Sequence, residues 1–311
     1  MKSEDPVTIP GQHYQACFAR RWGHLQHPDV RSLAWLLDSP LLLNPQHPRW
    51  NARLAQLPVP DLATAAWLEQ LDLAPQDLLE FLAIHPHTRL GHYAENLLAF
   101  YFSWRNQLVA HGVQVRSHTT IGEFDFLLDT PDGFEHWEFA CKFYLLTEPA
   151  TRLADFVGPN LMDNLNDKSH KIMDAQLALG QHHDAQKYLP KPLQGAKALL
   201  KGWLFYPQLD SATLPEVQPS HCRGLWCRLS DLEALVGERC TVLSRLAWLA
   251  PARVATAHTV SAADLSAMLQ RQFVVDARPV LVASLTACDD YFIEDQRIFV
   301  VPDSWNRTGH P

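Results

Sequence analysis

Two short runs of strict alternation constrain this chain more than anything else in it. Gly122-Glu123-Phe124-Asp125-Phe126-Leu127-Leu128 and Trp137-Glu138-Phe139-Ala140-Cys141-Lys142-Phe143-Tyr144 set polar and apolar residues largely in turn. Side chains on a strand point to opposite faces with period two, so each run reads as a β-strand. Pro131-Asp132-Gly133 between them is a turn signal, which makes the two strands neighbours. Phe124, Phe126, Leu128, Trp137, Phe139, Cys141 and Phe143 then face the core. The pleat gathers Glu123 and Asp125, with Glu138, Ala140 and Lys142, on the other side. A turn centred on Asp132-Gly133 sets Asp125 opposite Ala140 and Glu123 opposite Lys142. Glu138 is then one diagonal step from Asp125, about 7–8 Å by Cα.

Carboxylates on adjacent strands are hard oxygen donors, suited to Mg²⁺, which takes one or two carboxylates and keeps several waters. A bound divalent cation activates water and stabilises charge on a phosphoryl oxygen, and a nearby lysine adds a point cation. The competing reading of Asp125, Glu138 and Lys142 is an ion-pair network on a solvated sheet face.

The flanking sequence supplies the rest of a fold. From Thr88 to about Ala110, Leu90, Tyr93, Ala94, Leu97, Tyr101, Trp104 and Leu108 recur at helical spacing, and Gly112 ends the helix. Glu95 lies on the apolar shoulder of that helix and needs a partner, either a metal, Arg105 or a backbone donor. Val113 to His118 is β-prone. Asn160 to Gly180 returns to helical spacing, with Lys168 and Gln176 on the same stripe as Leu161, Leu165, Ile172 and Leu179, as if facing a polar cleft. Ala198 to Tyr206 is a further strand. The order is helix, three strands, helix, strand over residues 88–207. A helical, proline-punctuated region precedes it at 1–87, and a mixed α/β region follows at 208–311. In that last region Ser230 and Ser261 read as helix N-caps, and 278–285 and 297–301 as strands.

These residues resemble the PD-(D/E)XK nuclease superfamily, whose core is a restriction-endonuclease-like mixed sheet flanked by helices. More narrowly, LGHYAENLLAFYF, GEFDFLL, HWEFACKFYL, VGPNLMDNL and KGWLFYP are similar to a bacterial family labelled as a domain of unknown function and grouped with those nucleases. The narrow resemblance covers most of the chain and the nuclease-like part about 88–207. It implies Mg²⁺- or Mn²⁺-dependent hydrolysis of DNA or RNA. Asp125 takes the first metal-ligand position and Lys142 the lysine position. The second acid of the pattern stands two residues before the lysine, where this chain has Ala140; Glu138, on the same face, substitutes. Glu95 matches the acid supplied by the first helix, and Gln176 the glutamine of the second. The alternative is a catalytically inactive module of the same fold that binds nucleic acid or a protein partner, which Ala140 favours.

Bulk properties bound these readings. The formal net charge is −8, with 26 Lys and Arg against 34 Asp and Glu, so nucleic acid would be met through a local patch. Lys187, Lys191, Lys197 and Lys201 follow Asp184 without an intervening acid and read as either a phosphate-contacting loop or a solvated connection. No apolar run reaches the roughly 20 residues of a membrane span, and Met1 to Pro10 lacks the apolar centre of a signal peptide. Six scattered cysteines read as reduced thiols of a cytoplasmic protein. His221, Cys222, Cys227 and Cys240 offer a zinc reading, opposed by Leu225 and Trp226 between them, which look like strand core. Trp203, Trp226, Trp248 and Trp305 fit a core or a partner-facing surface. No P-loop, Gly-x-Gly-x-x-Gly or Gly-x-Ser-x-Gly element is present.

Overall fold

The computed structural model describes residues 13–85, 87–147, 151–209 and 211–305. The stretch Met1 to Pro10 and the helix break at Pro86 lie outside the described residues. Helices come first: α1 (Tyr14–Trp22), α2 (Pro28–Asp38), α3 (Leu62–Leu73), α4 (Gln76–Ile84) and α5 (Leu90–Trp104). The strands β1 (Leu108–Arg116), β2 (Thr120–Thr130), β3 (Gly133–Leu146) and β4 (Phe156–Val157) follow, then α6 (Leu165–His170) and β5 (Gly195–Tyr206). The remainder is β6 (Cys222–Arg228), β7 (Arg239–Val242), β8 (Arg253–Ala255), α7 (Ala262–Val275), β9 (Val280–Cys288) and β10 (Tyr291–Val301).

The fold is mixed α/β, with a large mixed sheet flanked by helices. Ten strands join in the order β1-β2-β3-β5-β6-β10-β9-β7, with β4 beside β3 and β8 beside β10. Pairing is parallel through β3, β5, β6 and β10 and antiparallel on either side. The boundary read at 207 and 208 therefore falls between two neighbouring strands, β5 and β6. From Ala198 to Tyr206 every residue of β5 is buried, which is why this inner, parallel strand reads as a near-continuous apolar run. Gly202 lies level with Lys142 at φ +148, and a Cβ there would meet the Lys142 carbonyl oxygen at 1.8 Å. The absent side chain lets β5 close onto β3 beside the site.

Local chemistry moves several boundaries. Helix α5 stops at Trp104, because Asn106 takes the left-handed conformation (φ 53) and the Gln107 N–H donates to the Phe102 carbonyl. Gly112 does not cap that helix; it sits inside β1, which begins at Leu108. The second helix starts at an Asn164 cap, which accepts the Asp167 N–H, and after His170 it widens into a π-turn over Lys171–Gln176. Arg53 and Arg49 hold this segment from the N-terminal region, bonding the Met173 carbonyl and the Asn166 side chain. Ser261 caps α7. Ser230 caps nothing: its N–H bonds Asp303, and Leu229–Ala234 is a short 3₁₀ segment. No helix of the described residues is long and apolar enough to cross a membrane. Trp203 and Trp248 are buried in the main core, with Trp226 and Trp305 packed against it.

The zinc reading fails on the pleat. Cys222 packs into the main core, whereas Cys227 and Cys240 belong to a second cluster, and all three thiols are free. His221 is buried with Nδ1 2.6 Å from the Gln218 carbonyl, so Nδ1 carries the proton and Nε2 accepts from the Tyr206 hydroxyl at 2.9 Å. Burial pushes its pKa down to about 3. An unfolded histidine titrates near 6.5. This group's contribution is therefore complete above about pH 6.5 and is lost as pH falls toward the folded value, at up to about 1.4 kcal/mol per unit. Urea midpoints measured from pH 7 to pH 4.5 should fall, and His221→Gln should flatten the decline; an unchanged slope in the variant contradicts this assignment.

Candidate metal centre

β2 and β3 pair only near their turn, from Thr130↔Gly133 to Phe126↔Trp137. The turn is centred on Pro131 and Asp132, one step earlier than the sequence reading placed it, so the register moves by two residues. An even shift keeps every side chain on its face. Asp125 comes level with Glu138 rather than with Ala140. Beyond Trp137 the strands part, and the same edge of β3 is next paired at Leu145, by β4. Among the described residues, that edge has no strand partner from Glu138 to Tyr144. Asp125 Oδ2 takes the first open position by accepting the Phe139 N–H at 2.8 Å. On the other side of β2, Gly112 lies level with Asp125 and has φ +63. Asp125 thus stands where the sheet is distorted on both flanks.

Acids converge on this point from two further directions. Helix α5 supplies Glu95 and β2 supplies Glu123; with Asp125, one carboxylate oxygen from each lies within 4.8 Å of the others. His111 on β1 is stacked on Phe126 and places Nε2 2.9 Å from Glu95 Oε1, so His111 is the partner the apolar shoulder required, rather than Arg105. Glu138, 1% exposed, stands level with Asp125 and receives the Gln176 amide on Oε1. Its Oε2 lies 3.3 Å from His136 Nε2, but in a direction that makes no hydrogen bond, so that oxygen and both ring nitrogens are orphaned. Burial pushes the His136 pKa down to about 4, leaving a neutral ring with no charge to offer.

The electrostatics follow from the crowding. Burial, then the charges of Glu138 and Glu95, push the Asp125 carboxyl well above the usual range. Burial also raises Glu138, against the pull of the neighbouring Asp125 carboxyl and of Lys168. So many acids ionise together only with a cation among them. Lys168 lies beside them: its Nζ is 3.3 Å from Gln176 Oε1, and burial and Lys142 lower its pKa against the pull of Glu138 and Asp125. Hard oxygen donors and an unpartnered buried carboxylate oxygen together fit Mg²⁺ or Mn²⁺.

Lys142 is placed differently from the sequence expectation. It lines the same cleft, but its Nζ pairs with Asp163 at 2.8 Å, and the Tyr144 hydroxyl donates to the same oxygen at 3.1 Å. The three residues of the ion-pair reading therefore do not pair with one another. The cleft, about 1060 Å³, also contains Glu95, Asp125, Glu138, Lys168 and Gln176, and its far wall carries Arg245, Trp248 and Arg278. Ala140 is buried and lines it. The lysine-rich segment does not reach it. Lys187 bonds the Arg116 carbonyl, Lys191 pairs with Asp129, Lys197 with Asp132 and Glu135, and Lys201 is buried against the Ser39 carbonyl. Sequence reasoning gave no role to His111, His136 or Asp163. Only the alternation of β1 from Leu108 carried a signal for His111, and the presumed longer helix concealed it.

A protein-family model described as "Domain of unknown function (DUF1853)" matches residues 31–301. No curated protein and no solved structure matches the chain.

Proposed function

We propose, for a chain that belongs to the DUF1853 family, metal-dependent hydrolysis of nucleic-acid phosphodiester bonds, with Mg²⁺ or Mn²⁺ held by Asp125, Glu138 and Glu95. The observation that carries this reading is the convergence of Glu95, Glu123 and Asp125 within 4.8 Å, with Glu138 against them, at a gap in the sheet. The likeness of the sequence to PD-(D/E)XK nucleases adds to it. When bound, the cation lowers the pKa of a water and stabilises charge on a phosphoryl oxygen. The protein's own groups do the positioning. Gln176 fixes one Glu138 oxygen and leaves the other, which has no hydrogen-bond partner, for the cation. Lys168 stabilises developing negative charge. Lys142 serves as a second cation once Asp163 releases it.

A second reading, a non-catalytic module that binds nucleic acid or a protein, is favoured by Ala140 at the pattern's acid position and by the Lys142–Asp163 pair. Cleavage of fluorescent single- and double-stranded DNA and RNA separates the two. Hydrolysis that needs Mg²⁺ or Mn²⁺, stops with EDTA and falls roughly 10²-fold in Lys168→Met supports the enzyme. Intact substrates under every metal condition overturn it.

A further inference from the structure

We infer that the C-terminal wall of the cleft is a phosphate subsite for a single nucleic-acid strand, built on Arg245 and Arg278. Its assignment to nucleic acid rests on the hydrolase reading. Both residues line the same cleft as the carboxylates. Among the described residues Arg245 has no acidic partner; its guanidinium lies over the Trp248 ring, 4.7 Å from the centroid. Trp248 in turn packs edge-on against Phe143 of β3, at 5.5 Å. The arginine is thereby fixed to the strand that carries Glu138 and Lys142. Arg278 pairs with Asp276, yet its charge still acts on Arg245 and, after burial, lowers the pKa of that group.

Asp276 already grips the Arg278 fork, so the Arg245 fork is the one open to phosphate oxygens, with Arg278 adding its charge. The clustered carboxylates come from α5, β2 and β3, whereas Arg245 follows β7 and Arg278 precedes β9, at the opposite end of the strand order. The arginines thus form a separate station in the cleft. A ligand that meets both stations carries more than one phosphate. The cleft volume of about 1060 Å³ lies just above that of small-ligand pockets, about 300–1,000 Å³, room for a short stretch of one strand rather than for a duplex.

The test is fluorescence anisotropy of a 5′-labelled single-stranded oligothymidine and of a duplex of equal length, both in EDTA so that nothing is cleaved. Wild type should bind the single strand more tightly. Arg245→Gln should weaken that binding about tenfold at low salt and reduce the log–log salt slope by about 0.7, and adding Arg278→Gln should double the slope change. Arg245→Lys, which keeps the charge, should retain the slope. Unchanged affinity and slope in the double variant, or equal binding of duplex and single strand, overturns the inference. If the arginine variants lose binding while wild type cleaves nothing with metal, the subsite stands and the hydrolase reading falls. If cleavage persists unaltered and binding ignores the arginines, the reverse holds.

Discussion

Asp125→Asn should abolish metal-dependent cleavage and, in metal-free buffer, make the protein more stable. The amide is isosteric, and its carbonyl oxygen can still accept the Phe139 N–H that Asp125 accepts at 2.8 Å. What disappears is a carboxyl that burial and the neighbouring Glu138 and Glu95 keep protonated in the folded protein, at a cost the unfolded chain does not carry at neutral pH. Loss of a metal ligand removes several kcal/mol of charge stabilisation from the reaction, a rate loss of about 10³-fold or more. Removing that cost should raise unfolding stability at neutral pH by about 1–2 kcal/mol, the size of a typical stabilising substitution. Urea unfolding in EDTA and a cleavage assay read the two effects. Asp125→Asn that is less stable and still cleaves shows the acids to be a structural network.

The second large effect lies away from the carboxylates. Arg297→Met should cost about 3–5 kcal/mol, the range for breaking a buried ion pair. Arg297 is fully buried and grips Glu294 with two nitrogens, at 2.6 and 2.8 Å. It also donates to the Trp248 and Ala250 carbonyls and stacks on Trp203 at 3.8 Å. Its removal strands the Glu294 charge, 2% exposed, and two carbonyls. Glu294→Gln in the same chain should return a large part of the loss, because the stranded charge is then gone. Urea unfolding followed by tryptophan fluorescence reads both variants. A single-variant loss under 1 kcal/mol would mean that water reaches Glu294. Because Arg297 holds the Trp248 carbonyl, it also steadies the wall that carries Arg245.

The strands were the legible part of this chain, since Phe124 to Leu128 and Trp137 to Tyr144 announce their faces through alternation alone. That was enough to bring Asp125 and Glu138 together. The register was off by two positions because Pro131-Asp132, not Asp132-Gly133, forms the turn, and alternation is indifferent to an even slip. Gln176 and Lys168 could be seen as polar residues in an apolar stripe. The π-turn that follows Lys168 and ends at Gln176 could not, since no residue in Lys171–Gln176 marks it. Lys142 shows a different limit: its face followed from the pleat, but Asp163 reaches it from a loop twenty-one residues away in sequence, and no periodicity encodes such a contact. His111 was hidden for a third reason. Asn106, not Gly112, ends α5, and β1 therefore starts where a helix was expected.

Calorimetric titration of Mn²⁺ into the protein bears most directly on all of this, with wild type, Asp125→Asn and Glu138→Gln compared in one buffer at neutral pH. Saturable binding in wild type that is lost or severely weakened in both variants is the expected result. Wild type that takes up no Mn²⁺, or variants that bind it as wild type does, would contradict a cation centre at the parting of β2 and β3.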